Sequence, residues 1–304
     1  MNNNSSNFSR PKIYKTIVKS ARRETKKLAP DLKEFCRQAE KRILDQDRDG
    51  QIILFPYYFH QALQEKYQKL ISRKLLIRLG KINLYAWIAY TIFDDIIDHQ
   101  LPPTWLPAAM TYYHLFLSRL ERLNLSRKMR EQIKLIVTQA AAGQNQETKK
   151  SIDLANRSLF HALGPLIILS RLKQNYNHWL NGCRHYLGAR QLCDDALDWE
   201  EDAQHGRINF VAQKILADNP SRQKMKITFW RETMAKVNRE IINLSDQAET
   251  CLKKIEIFAQ PKYFLELADK YRRVGEAAEE RRLEVANWLT AYQNLGNDKA
   301  GLNS

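Results

Sequence analysis

Proline and glycine are the residues that end helices, and this chain has only nine prolines and ten glycines in 304 residues. The prolines fall where they harm helices least. Pro30, Pro56, Pro102, Pro103, Pro107, Pro220 and Pro261 all sit where a helical pattern starts or stops. Between them apolar residues recur at three and four, as in Ile241, Leu244, Cys251, Leu252 and Ile255. Helices are therefore expected over roughly 11–28, 31–44, 57–79, 82–99, 105–122, 126–142, 148–175, 177–203, 220–257 and 261–293. Gly164-Pro165 falls inside one of them and should break or kink it. No strand-like alternation of useful length and no internal repeat is present. So few turn residues argue against a sandwich, barrel or propeller. The expectation is an all-α fold, one large helical bundle over 31–295 after a basic segment 1–30 and before a flexible tail 296–304.

The four cysteines, Cys36, Cys183, Cys193 and Cys251, show no paired spacing. Neither a zinc site nor a disulfide framework is expected. Residues 1–10 are polar and lack the apolar core of a signal peptide. No apolar run reaches the ~20 residues of a membrane span. A cytoplasmic protein is the expectation. The net charge is +15, and eight basic groups against the single acid Glu24 lie in residues 1–30. Such a surplus attracts polyanions. An amphipathic first helix, with Ile13, Ile17 and Val18 opposite lysines, would cap the bundle or touch a membrane surface. No reading motif supports nucleic-acid binding.

Two acidic clusters carry the chemistry. The first is Asp94-Asp95-Ile96-Ile97-Asp98 and the second Asp194-Asp195-Ala196-Leu197-Asp198, continuing to Glu201 and Asp202. On a helix, residues four apart share a face. Asp94 therefore points with Asp98, and Asp194, Asp198 and Asp202 form a carboxylate row. The first cluster follows an almost unbroken apolar run, Leu84 to Phe93, of the kind that is normally buried. Carboxylates crowded there repel one another and are costly to desolvate. Oxygen-only ligands of this kind suit Mg²⁺ or Mn²⁺, and Mg²⁺ commonly combines one or two carboxylates with substrate phosphates.

A doubled DDxxD on helices in an all-α chain of this length resembles the class I isoprenoid (terpenoid) synthase superfamily, over roughly 55–290. Gln191 to Asp198 is similar to the QxxDDxxD of trans-prenyl diphosphate synthases. Glu201-Asp202-Ala203-Gln204-His205-Gly206-Arg207-Ile208 resembles the EDxxxGRI stretch of squalene and phytoene synthases, as does Leu84-Tyr85-Ala86-Trp87 leading into the first cluster. The resemblance implies a helical bundle around a central cavity. It implies about three Mg²⁺ ions gripping the diphosphate of an allylic prenyl substrate. The implied ligands are Asp94, Asp98, Asp194 and Asp198, with Asp95, Asp195 and Asp202 beside them. Gln191 would face the cavity. Tyr90, one turn before Asp94, would either line the cavity wall or simply pack in the core. Arg157, in the place of a Lys-Thr pair, and Arg207 would hold the diphosphate. Tyr271-Arg272-Arg273 is similar to the Arg-Tyr pair of some bacterial terpene synthases. Many relatives of this kind are homodimers.

Two departures separate the branches. Ser9-Arg10-Pro11 lacks the glycines and lysine of the segment that holds isopentenyl diphosphate, and Asp98 is followed by His99-Gln100-Leu101-Pro102-Pro103 rather than paired arginines. An enzyme without an isopentenyl site either cyclises one allylic diphosphate or joins two head to head. A terpene synthase is the first expectation, prenyl transfer the second, and a non-catalytic diphosphate-binding or partner protein the third. The calcium-loop look-alike Asp45-Gln46-Asp47-Arg48-Asp49-Gly50 carries Pro56 where the bidentate glutamate belongs.

Overall fold

The computed structural model describes residues 11–47, 50–144, 150–206, 209–216 and 222–300. Among them the regular elements are all helices, and Leu63 and Phe258 form an isolated antiparallel bridge. The helices are α1 (Lys12–Thr25), α2 (Pro30–Gln46), α3 (Gln51–Ala62), α4 (Glu65–Gln68), α5 (Arg73–Ile97), α6 (Leu106–Glu121), α7 (Arg127–Gly143), α8 (Leu163–Arg171), α9 (Asn177–His205), α10 (Phe210–Leu216), α11 (Arg222–Thr228), α12 (Met234–Lys253) and α13 (Lys262–Ala300). A 3₁₀ helix, Ser151–Ala162, precedes α8, and a π turn, Phe229–Thr233, joins α11 to α12. The all-α expectation holds. No described helix is long and apolar enough to cross a membrane, and all four cysteines are free thiols.

The chain divides into two compact units. One takes Met1–Asn145, Arg157–Leu180 and Ile255–Tyr263, the other Gln146–Asn156, Asn181–Lys254 and Phe264–Ser304. In the first unit α5 is the buried centre. Leu79, Ile82, Asn83, Leu84, Tyr85, Ala86, Ile88 and Ala89 are all fully buried, packed by α6, α3 and α1. This is what its apolar run requires. The apolar face of α1 packs inward too, with Ile17 and Ala21 almost fully buried. Burying an isoleucine such as Ile17 contributes about 1.5–3 kcal/mol. The face read as a possible membrane contact therefore serves as core. In the second unit Trp199 stacks on Phe229 at 4.6 Å, within a core that includes Leu192, Val211, Val237 and Ile241.

The single helix expected over 220–257 is divided into α11, the π turn and α12, and two further differences lie in α3 and α5. The sequence predicts a break between 79 and 82, yet α5 runs straight through Gly80, and the break lies between Ala62 and Arg73. Pro56, expected to bound a helix, sits inside α3. A proline there leaves the carbonyl of Ile52 without its helical donor. The fully buried Asn83 of α5 supplies one, its Nδ2 donating to Ile52 O at 3.0 Å. The two helices approach so closely that a Cβ on Gly80 would stand 3.0 Å from the carbonyl of Ile53. Replacing Asn83 by leucine should destabilise the fold by about 1–3 kcal/mol, the cost of a buried carbonyl left unbonded. Chemical denaturation would measure this, and an unchanged midpoint would remove Asn83 from this role. The break expected at Gly164-Pro165 is present as the change from 3₁₀ to α at Leu163. Gly164 backs onto the Pro56 ring, where a Cβ would collide.

Candidate active site

The first cluster lies at the C-terminal end of α5. Asp98 is the C-cap residue, and its N–H donates to Asp94 O at 2.9 Å, so the two aspartates stand one turn apart. The chain then reverses in a Schellman motif. His99 takes a left-handed φ of 58°, its N–H bonds Ile96 O at 3.2 Å, and the N–H of Gln100 bonds Asp95 O at 2.7 Å. Asp94 is exposed and Asp98 half-buried, whereas Asp95 is buried. Asp95 meets Arg42 of α2 at 3.0 Å. Burial pushes the Asp95 carboxyl above its ordinary pKa, Arg42 pulls it down and Asp98 adds to the rise. The three acids thus divide into an outward pair and an inward, ion-paired anchor.

The second cluster occupies the last turns of α9. Asp195 is buried and fully engaged. Its Oδ1 accepts from Gln191 Nε2 at 3.1 Å and its Oδ2 from the backbone N–H of Phe210 at 3.0 Å. Asn209, fully buried, caps α10 with its Oδ1, which accepts from the N–H groups of Val211 and Ala212 at 2.9 and 3.0 Å. Its Nδ2 donates to Asp195 O at 3.0 Å and Asp202 Oδ2 at 2.7 Å. One asparagine therefore fastens both ends of the acidic run to the start of α10. Sequence reading missed Asn209. Its signal was available, an asparagine directly before the apolar run Phe210-Val211-Ala212, the pattern of an N-cap. Asn209→Ala should lower stability by about 1–2 kcal/mol, and Asn209→Asp should restore the cap but not the bonds to Asp195 and Asp202. Thermal melts of both variants test this; two equal losses would leave the cap without a role.

Asp194 is half-exposed, at 49% of its side chain. Withdrawal from water raises its pKa most, Asp195 and Asp198 push it further, and Arg190 and Lys270 oppose them. Arg190, one turn earlier, stands 3.9 Å away. Arg190 was legible from its spacing, but Lys270, seventy-six positions along the chain, was not. Asp198 lies on the exposed side of α9.

The other expected site residues take varied positions. Tyr90 is buried, its ring stacked on Phe160 at 4.8 Å and its hydroxyl donating to Val137 O at 3.2 Å. These are packing contacts. Arg157 donates from Nε to Gly143 O at 3.2 Å, a cation at the C-terminal end of α7 where the helix dipole favours it. Arg207 lies outside the described residues. Arg272 and Arg273 both pair with Asp269 on their own helix. Among the described residues, no group of three or more His, Cys, Asp or Glu side chains gathers closely enough to hold a metal ion by itself.

The all-α fold itself is found among solved structures. Among solved structures the chain is similar to the geranylgeranyl pyrophosphate synthetase of the archaeon Geoglobus acetivorans, at 15% identity and a TM-score of 0.64, over 86% of this chain and 97% of that one. No family model and no curated protein matches it.

Proposed function

We propose that the protein is a Mg²⁺-dependent isoprenoid synthase that ionises an allylic prenyl diphosphate, releases diphosphate and converts the carbocation into a cyclised or rearranged product. One observation carries the reading. Helices α5 and α9 each carry a row of carboxylates toward the C-terminal end, with Asp94 and Asp98 closing α5 and Asp202 in the last turn of α9, where the backbone dipole is already negative. Acidic side chains are unfavourable there and cations favourable, so both ends are suited to receive positive charge. The donors are hard oxygens, as Mg²⁺ prefers. Mg²⁺ is commonly held by one or two carboxylates and completed by substrate phosphates, which such paired acids can provide. The proposed ligands are Asp94, Asp98, Asp194 and Asp198, with Asp202 beside them. Asp95 and Asp195 position these, through Arg42 and through Gln191 and Phe210. When bound, the metal stabilises the departing diphosphate. Arg157 and Arg207 are proposed to bind its oxygens.

Prenyl transfer is the second reading, favoured by the solved neighbour's description as a geranylgeranyl pyrophosphate synthetase. The missing isopentenyl-binding residues weigh toward the terpene synthase, or toward a head-to-head enzyme. The test supplies purified protein and Mg²⁺ with C10, C15 and C20 allylic diphosphates, with and without isopentenyl diphosphate, and reads products by mass spectrometry. A hydrocarbon or alcohol formed from one allylic diphosphate alone supports the first reading, and a doubled carbon count indicates head-to-head joining. A longer diphosphate formed only with isopentenyl diphosphate selects chain elongation. Mg²⁺-dependent binding without turnover would leave a non-catalytic protein.

A further inference from the structure

A concave patch in the first unit has cations as its only charged lining. Lys74, Arg78 and Arg171 surround a shallow depression of about 310 Å³ between the start of α5 and the end of α8. Leu70, Ile71, Ser72, Leu75 and Leu172 complete it, and no acidic side chain lines it. All three cations are exposed, as are the flanking Arg73 and Lys173. Among the described residues none of these five joins an ion pair, while the adjacent Lys69 is bound to Glu65 at 2.7 Å. At the edge of the patch, on the turn between α4 and α5, Leu70 is 69% exposed. A large aliphatic side chain thus stands in water beside a ring of unpaired cations. Water is a poor environment for such a side chain.

We propose that this patch docks the protein on an anionic lipid bilayer, with Leu70 entering the interface and Lys74, Arg78 and Arg171 facing the phosphate-bearing headgroups. Charge complementarity selects this occupant. A surface holding several cations and no acid matches a uniformly negative plane, and an apolar tip adds the short-range hold that charge alone lacks. The basic first helix is not required, because its apolar face is buried in the core. The assignment is independent of any catalytic role for the acidic clusters.

The test is co-sedimentation of the full chain with vesicles of phosphatidylcholine alone and with 30 mol% phosphatidylserine, against Leu70→Ser, the triple variant Lys74→Gln/Arg78→Gln/Arg171→Gln, and Lys15→Gln/Lys19→Gln in α1. All the changed side chains are exposed, and circular dichroism checks the fold. Binding is expected only to the anionic vesicles and should weaken with salt. One Lys or Arg near such a surface contributes ~1 kcal/mol, about fivefold in partitioning, so the triple variant should bind about 100-fold more weakly. Leu70→Ser should bind more weakly than the wild type, and the α1 variant should lose far less than the triple variant. Equal binding by wild type and triple variant, a loss confined to the α1 variant, or no binding of the wild type to anionic vesicles would overturn the proposal. Wild-type binding abolished by millimolar inorganic phosphate at constant ionic strength would also overturn it, by identifying a small-anion pocket.

Discussion

With Asp94 and Asp98 both replaced by alanine, the protein is expected to release diphosphate more than about 1000-fold more slowly than the wild type, the scale of losing a principal electrostatic stabiliser. The double variant should still fold cooperatively without metal. The second half of the expectation separates a functional cluster from a structural one. Asp98 caps α5 and Asp94 lies one turn before it, where a carboxylate opposes the helix dipole. Their removal relieves that repulsion. Asp95→Asn should behave in the opposite way, because it removes the buried carboxylate that meets the half-buried Arg42 at 3.0 Å and weakens the fold. Diphosphate release with a parallel thermal melt would read both. Retained release in the double variant would remove Asp94 and Asp98 from the site, and a collapsed melt would make them structural.

Glu24→Ala should cost about 3–5 kcal/mol, the scale of breaking a buried ion pair from one side. The single acid of residues 1–30 is the centre of a polar knot in the first unit. Its carboxylate accepts from Lys81 Nζ at 2.6 Å, Tyr85 Oη at 2.9 Å and Arg119 Nη2 at 2.7 Å. Lys81 is buried in α5 and would be left as an uncompensated charge. Burial raises the Glu24 carboxyl, but the bonds from Lys81 and Tyr85 and the charges of Lys81 and Arg119 outweigh it, and its pKa lies below the ordinary value. A folded-state pKa below the unfolded one stabilises fully above the unfolded pKa, about 4.3 for glutamate. That stabilisation is lost as pH falls through the lowered folded value. The neighbouring Glu40 is raised by burial against the opposing Arg22, so its contribution runs the other way. The informative quantity is therefore the stability gap between wild type and Glu24→Gln, which should be constant near neutral pH and shrink below about pH 4. Denaturant titrations across pH 2–7 would measure it. A gap that widens in acid would contradict the arrangement.

The helical plan was legible because few glycines and prolines interrupt strong apolar periodicity. What escaped was long-range compensation. Gly80 and Pro56 are helix breakers by local rule. Asn83 reaches from one helix to the other to satisfy the carbonyl that Pro56 orphans, and no local window contains that pair. The acidic clusters were legible as rows on helix faces, but the roles within them were not. Asp95 and Asp195 share a motif with their neighbours yet turn inward, one to Arg42 and the other to Gln191 and Phe210 N–H. A motif gives spacing along one helix, whereas these partners come from elsewhere in the fold. Tyr90 shows the same limit. Its place one turn before Asp94 fits a cavity wall or a core, and its stacking on Phe160 and its bond to Val137 are contacts of packing.

The most direct test of the central claim is diphosphate release from a C15 allylic diphosphate by the wild-type protein, measured with Mg²⁺ and again with the metal chelated. The account predicts release without isopentenyl diphosphate, abolished by chelation and restored by added Mg²⁺ or Mn²⁺. Release that persists undiminished when the metal is chelated would contradict it.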